Sequence, residues 1–364
     1  MAQQHGTAHG AVGRAPLRAA IIGTARVGSW YDDLLADSPE QRPASHAGCY
    51  AAHPRTVLVA GCDLDRERLA AFGERWQITP AHLYTDYREL LAREAPDIVS
   101  ITTSWGHDHA ALAPVVAAAG VKGIFCEKPI ATSMAEAGEI VRVVQQHGVK
   151  FVCAYLRRWN PRYHALRAAI EQGAIGALLS ITAIGVGNLM HAGTHYADIM
   201  AYLAGDPQPA QAWGRIEPIP PDARSPTARV DPLGSGYIEM HDGVRFFLEG
   251  VSGGAITFII SGTEGKLVVL NDARDAELWR RPSGSRERWL EREPFPLPTP
   301  TRSPTLMALE DLVESIETGR EPACSERHAA RAMELCLALH ASHRRGGCAV
   351  RFPLEEQELA VDTW

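Results

Sequence analysis

Apolar residues recur in two rhythms along this chain. In the first half, short apolar runs at Leu17–Ile22, 57–60, 98–102 and 123–126 alternate with longer stretches at 64–76, 85–94 and an alanine-rich segment ending at Ala119. In the longer stretches the apolar positions return every three to four residues, the spacing of one helix face. Strand alternating with helix predicts a doubly wound, parallel α/β sheet. A helix over 133–146, a strand over 151–154 and a helix over 162–171, stopped by Gly173 and Gly176, follow. From Gly234 the rhythm shortens. Runs at 236–240, 244–250, 255–261 and 266–270 are joined by turns such as His241-Asp242-Gly243 and predict an open, mainly antiparallel sheet of sequential hairpins. Proline-rich 293–304 reads as a connector, 305–318 and 325–344 as amphipathic helices, and 350–353 as a last strand.

Composition narrows the classes. At 364 residues the length prior gives about two domains. With 46% apolar and 22% charged residues the chain can bury an ordinary core, which argues against disorder. A net charge of -7 without a block of Lys or Arg argues against a nucleic-acid partner. No apolar run reaches the length of a membrane span. The 7 cysteines are scattered and form no C-x-x-C pair, which fits reduced thiols in a cytoplasm and gives no zinc site. Residues 1–16 read as a flexible tail.

Candidate chemistry falls at the ends of the predicted strands, where open α/β sheets bind ligands. The first strand runs into Gly23-Thr24-Ala25-Arg26-Val27-Gly28, a G-x-G-x-x-G spacing with alanine at the second glycine. The outer glycines permit a tight turn and close helix packing, and the small middle residue lets backbone N–H groups approach a pyrophosphate. Asp63, just past the second strand, can accept hydrogen bonds from ribose hydroxyls and repels a 2′-phosphate. It favours NAD, and nearby Arg66 leaves NADP open. Residues 29–54 are more than a crossover helix needs and are expected to form a loop over the site, with a second short helix near Ser45 and His46 solvated. His107 and His109 flank Asp108 in a loop, but two such ligands need further partners, and Asp108 reads as a helix N-cap. At Cys126-Glu127-Lys128-Pro129 a strand ends on a lysine whose amine, once buried, can serve near neutral pH as proton donor or acceptor. Arg157 and Arg158 could orient an oxygen-rich substrate. His191, His195 and Asp198 share one helix face if the helix runs through Gly193, and acid–base work suits those imidazoles better than metal.

In this order the pieces resemble the Gfo/Idh/MocA family of NAD(P)-dependent oxidoreductases. The resemblance runs from about Leu17 to Pro353 and rests on the turn from Gly23 to Gly28, Glu127-Lys128-Pro129, Arg158 with Pro161, and Gly193-x-His195-x-x-Asp198. It implies a Rossmann dinucleotide-binding domain over 17–129 and a C-terminal α+β domain over 130–364, whose open sheet would form a homodimer or homotetramer interface. It makes Lys128 the catalytic lysine, with Glu127 beside the cofactor and a cis Lys128–Pro129 bond, and it makes His195 that lysine's partner. Ser104, Trp105 and His109 would line the cofactor; Tyr155, Arg158 and His191 would face the substrate. The family's aspartate four residues before His195 is His191 here, which changes the charge of the acid–base group. Its Thr-Pro-Asn turn corresponds to Ser104-Trp105-Gly106, which brings an indole toward the reacting ring. The implied reaction is hydride transfer between a nicotinamide and a hydroxyl or keto carbon of a sugar, cyclitol or related polyol. Two other outputs fit the same residues: elimination or glycosidic cleavage through a transient keto-sugar without net redox, and NAD or sugar sensing without catalysis.

Overall fold

The computed structural model describes residues 15–104, 106–218, 231–251, 254–282 and 289–361. Six strands build the first sheet: β1 (Leu17–Ile22), β2 (Thr56–Cys62), β3 (Leu83–Tyr84), β4 (Ile98–Ile101), β5 (Gly123–Cys126) and β6 (Lys150–Cys153). Their order is β3-β2-β1-β4-β5-β6 and every pairing is parallel. β1, β4 and β5 are almost wholly buried, as strands covered by helices on both faces must be. Helices α1 (Arg26–Ser29), α2 (His46–Ala52), α3 (Arg66–Trp76), α4 (Tyr87–Glu94), α5 (Gly106–Ala118) and α6 (Met134–His147) belong to this half. Asp65, Asp86 and Ser133 accept backbone N–H bonds as the N-caps of α3, α4 and α6. Asp108 is not a cap: α5 begins at Gly106, so this carboxylate stands inside the first turn.

The parallel sheet continues through β6, past the boundary expected at Pro129. A helix from the far end of the chain also packs on it. In α9 (Pro304–Thr318), Ile316 fills the space left by Gly123, where an added Cβ would stand 2.7 Å from Ile316 Cδ1.

Among the described residues the second sheet has nine strands. They are β7 (Leu178–Ile184), β8 (Pro209–Ile216), β9 (Gly234–Met240), β10 (Arg245–Glu249), β11 (Thr257–Gly262), β12 (Gly265–Leu270), β13 (Asp275–Arg280), β14 (Glu291–Pro294) and β15 (Val350–Arg351). The order is β14-β13-β12-β11-β7-β10-β9-β8-β15. Sequential hairpins therefore account for only part of it: β7 lies between β10 and β11, parallel to the first and antiparallel to the second. Burial explains the insertion, because Ile181 and Ala183 of β7 point into the same core as Phe246, Leu248, Phe258 and Ile260. Helix α10 (Glu326–Arg344) lies on that buried face, so close that a Cβ on Gly214 would meet Leu339 O at 2.3 Å. Helix α7 (Pro161–Glu171) leads from the first sheet to the second, and α8 (Thr194–Leu203) connects β7 to β8. Among the described residues no helix is long and apolar enough to cross a membrane.

Candidate active site

Between β1 and β4 the strand order reverses, and a cleft of about 440 Å³ opens there at the carboxyl ends of β1, β2 and β4. Gly23, Ala25, Asp63, Thr102, Thr103 and Ser104 line it. Gly23 has a φ of +97°, and a Cβ added there would lie 2.7 Å from the Thr102 carbonyl carbon. A Cβ on Gly28 would lie 2.2 Å from Gly23 O, so the turn closes only with hydrogen at both positions. The helix it opens, α1, is a single turn without a side-chain cap, and the inserted segment begins at once. Asp63 Oδ2 accepts from the Thr24 N–H at 2.8 Å and the Thr24 hydroxyl at 3.0 Å, tying the end of β2 to the glycine turn. Its cationic neighbour is Arg68, 3.6 Å from Oδ1, and not Arg66, which lines a separate cleft beside β3. Arg68 also reaches the cap residue, its Nε lying 3.2 Å from Asp65 Oδ2.

Glu127 and Lys128 leave β5 together, and the Lys128–Pro129 bond is cis. His46, expected in solvent, is 1% exposed, because the inserted segment folds back as α2 and packs its first turn against β5. Ser45 caps that helix by accepting from the Gly48 N–H, and Asp32 accepts from the N–H groups of Ala44 and Ser45. The His46 ring stacks at 4.0 Å on Phe125, and its Nδ1 meets Ser100 Oγ at 2.8 Å, which in turn meets Tyr50 OH at 2.8 Å. Its Nε2 stands 3.4 Å from Glu127 Oε1, an ion-pair distance without hydrogen-bond alignment. Burial alone would raise the Glu127 carboxyl; His46 and Lys128 outweigh it and hold the group below its ordinary value. Burial pushes the Lys128 amine down, against the pull of the Glu127 charge. Lys128 Nζ donates to His191 O at 3.1 Å.

His191 and His195 stand on one helical run, but its first part, Leu189–Gly193, is π-helical and only Thr194–Leu203 is α. Such wide turns recur at functional sites. Asn188 O accepts from both Ala192 and Gly193, which widens the turn there. Burial, then the charges of Lys128 and Arg26, lowers the His191 imidazole to about 4. Burial, with Lys128 and Arg157 close by, pushes His195 well below its ordinary value. Both rings are therefore neutral at pH 7 and can accept a proton. His195 Nδ1, Tyr155 OH and Thr103 Oγ1 are buried without a hydrogen-bond partner among the described residues. The Tyr155 ring meets His195 edge-on at 5.4 Å, and the Thr194 hydroxyl beside it is turned to Met190 O.

Three other expectations change. Arg158, expected at the substrate, is 2% exposed and fully paired: Nε lies 2.9 Å from both Asp198 oxygens, and the terminal nitrogens bond Asp206 and Ala323 O. It fastens the turn before α7 to α8, which also takes Asp198 out of the histidine face. Arg157 is held the same way by Asp272, at 2.8 and 2.7 Å. His109, expected against the cofactor, is buried between two main-chain carbonyls, with Nδ1 2.7 Å from Pro129 O and Nε2 2.9 Å from Thr103 O; burial lowers the imidazole, and the neutral ring donates to one of the two. Trp105 lies outside the described residues. No group of three or more metal-ligating side chains occurs among the described residues.

The chain is similar to known proteins along most of its length. Residues 17–155 match the Gfo/Idh/MocA model described as an oxidoreductase family with an NAD-binding Rossmann fold. Residues 181–351 match the companion model for that family's C-terminal alpha/beta domain. A D-apiose dehydrogenase of Paraburkholderia graminis is 38% identical over 119 residues, 33% of this chain and 31% of that protein. An inositol 2-dehydrogenase of Salmonella typhimurium is 30% identical over 166 residues, 45% of this chain and 44% of that protein. The chain thus spans less than half the length of the curated relatives it matches. Among solved structures, the aldose-aldose oxidoreductase of Caulobacter crescentus, complexed with glycerol, superposes with a TM-score of 0.76 at 19% identity, covering 93% of this chain and 100% of that one. A levoglucosan dehydrogenase in complex with NADH and levoglucosan gives 0.74 at 21% identity, with the same coverage. At these identities the superpositions show a shared fold.

Proposed function

Because the chain belongs to the Gfo/Idh/MocA family of NAD-binding oxidoreductases, we propose that it oxidises a hydroxyl carbon of a sugar, cyclitol or related polyol, and runs the reverse reduction, with NAD as cofactor. One observation carries this reading: a neutral His195, with a buried nitrogen unpaired among the described residues, lies within the electrostatic reach of the Lys128 amine at the end of β5. Sugar and inositol dehydrogenases among the relatives support the polyol class.

The cleft at the β1–β4 reversal fits a dinucleotide, with the Gly23–Gly28 turn close enough for main-chain contact to a pyrophosphate and Asp63 at the ribose position. Ser104 on the cleft wall and the Glu127 carboxylate at the end of β5 would border the nicotinamide. When bound, the nicotinamide supplies the hydride acceptor. His195 takes the hydroxyl proton, which its depressed basicity allows it to give back readily in the reduction direction. The Lys128 ammonium donates to the same oxygen and stabilises the charge that develops there. Arg157 and Arg158 remain clamped and take no part in substrate binding. Tyr155 OH and His191 are left to orient neighbouring hydroxyls.

The sheet's outer face supports assembly into a homo-oligomer. Trp213, Tyr237 and Phe247 stack across β8, β9 and β10 with ring centroids 5.1 Å apart, and Phe247 is 36% exposed.

Mixing the protein with NAD or NADP and a panel of sugars and cyclitols, and following reduced-nicotinamide absorbance, tests the function. A responding polyol is the expected outcome. Product seen by mass spectrometry without reduced cofactor would replace net oxidation with redox-neutral chemistry. Cofactor binding with every substrate unchanged would favour a sensor.

A further inference from the structure

Asp231 stands three residues before β9 and belongs to no motif legible in the sequence. It is 1% exposed, and its two oxygens accept the main-chain N–H groups of Met190 at 3.2 Å and His191 at 2.6 Å. These donors lie in the first turn of the π-helical segment, where a helix offers its own N–H groups no acceptor. Main-chain bonds clamp the same two segments. Leu189 N–H donates to Pro232 O at 3.5 Å and Asn188 pairs with Leu233 as an antiparallel bridge, and the Asn188 side-chain amide also donates to Asp231 O. His191, whose N–H Asp231 holds, is also the residue whose carbonyl accepts the Lys128 ammonium.

We infer that Asp231 is a positioning residue for Lys128: it fixes His191 by its main chain, aims that residue's carbonyl at Nζ, and contributes the second negative charge around the lysine. The inference rests on the reading of Lys128 as the residue whose ammonium donates to the reacting oxygen. Capping alone does not account for it, since a neutral asparagine or serine caps a helix without the cost of burying a charge. No lysine or arginine makes an ion pair with Asp231 among the described residues. Among the described residues, the titratable groups that face it are Lys128 and the Cys336 thiol from α10, beside the His191 main chain. Lys128 in turn is faced by Glu127, Cys153, Arg157 and Asp231, and its own charge bears on His191 and His195. Burial lifts the Asp231 carboxyl to about 6, with the two N–H bonds and Lys128 pulling the other way. Above that pH the carboxylate favours the ammonium form of Lys128; below it the support is lost.

The test needs no turnover. Trace labelling of the cofactor-free protein with acetic anhydride, read at Lys128 by peptide mass spectrometry across pH, reports how much free amine is present. Wild type should show an inflection near pH 6 beneath the main rise of the amine. Asp231→Asn should lose that inflection and label several-fold faster at pH 8, while Asp231→Glu should keep it. In the polyol assay Asp231→Asn should lower kcat by about tenfold or more with NAD affinity unchanged, as a misplaced catalytic group does. A wild-type profile without the lower inflection overturns the inference even if the asparagine variant fails to fold. So does an asparagine profile that superposes on wild type. Failure of the oxidoreductase reading would appear separately, as a wild type that turns over no polyol while its labelling profile is unchanged.

Discussion

Lys128 gives the sharpest test at the scale of single residues. Its amine is half-buried, accepted by a carbonyl and bordered by the Glu127 carboxylate, so replacing it with methionine keeps the length and removes only the charge and the protons. Lys128→Met is expected to lower kcat by about 10²-fold or more. Its dissociation constant for NAD, by calorimetric titration, should stay within a few-fold of wild type, because Gly23–Gly28 and Asp63 are untouched. Turnover at the wild-type rate would remove Lys128 from the chemistry. His46 shows how a residue can serve the site without facing it. Its ring is locked between Phe125 and Ser100, so the edge it offers Glu127 has a fixed direction. The residues that hold the acid–base groups in place, His46 and Asp231, are as buried as the core.

The elements that matter most are short. The glycine turn works because β1 and β4 bring Gly23 and Thr102 together, with Thr102 Oγ1 donating to Gly23 O at 2.6 Å, while α1 folds Gly28 back onto the same carbonyl. Gly28→Ala therefore forces a methyl group against main chain that cannot move without unseating β1. Overpacking of this kind costs about 1–3 kcal/mol, and urea denaturation should show a lowered midpoint together with weakened NAD binding. A variant as stable as wild type would mean that the turn is looser than drawn. The π-helical turn at Leu189–Gly193 sets the relation of His191 to His195 in a comparable way: one extra residue in the turn rotates His191 away from the spacing of an unbroken α-helix.

For the molecule as a whole, buried neutral histidines set the response to acid. His340 on α10 is 6% exposed, its Nε2 has no partner among the described residues, and burial, with His343 nearby, lowers its pKa to about 4. In the unfolded chain a histidine titrates near 6.5, so between these values the unfolded state binds the extra proton and stability falls as pH drops. The stability His340 loses over that range is on the order of 3 kcal/mol. His340→Leu should flatten the fall in melting temperature between pH 6.5 and 4 and leave the value at pH 8 equal or higher; parallel curves for the two proteins would exclude His340 as a contributor. The outer sheet face gives a second whole-molecule test. Phe247→Glu places a charge in the middle of the aromatic row, and sedimentation should report a smaller species than wild type if that face joins subunits.

Local chemistry made much of this legible in advance. Alternating apolar rhythms specify strands and helices wherever burial is periodic, which is why β1, β2, β4, β5, β6 and helices α3 to α6 lie within a few residues of their expected places, whereas the two-residue β3 is too short to carry such a rhythm. Gly23, Gly28 and the Glu127-Lys128-Pro129 turn were readable because main-chain geometry restricts what those positions accept. The sequence carried weaker signals where partners are distant along the chain. Nothing near Arg158 announces that Asp198 and Asp206 will neutralise it, and nothing near His46 announces Glu127. β7 reached its place between β10 and β11 through core burial shared with strands more than sixty residues later, a long-range pairing that no local pattern encodes. Propensity and turn chemistry act over a few neighbours, so the sequence by itself determined the elements and the short motifs. Which charges stay free to act on a substrate was decided by the tertiary structure alone, because desolvation and ion pairing depend on what the fold brings within a few ångströms.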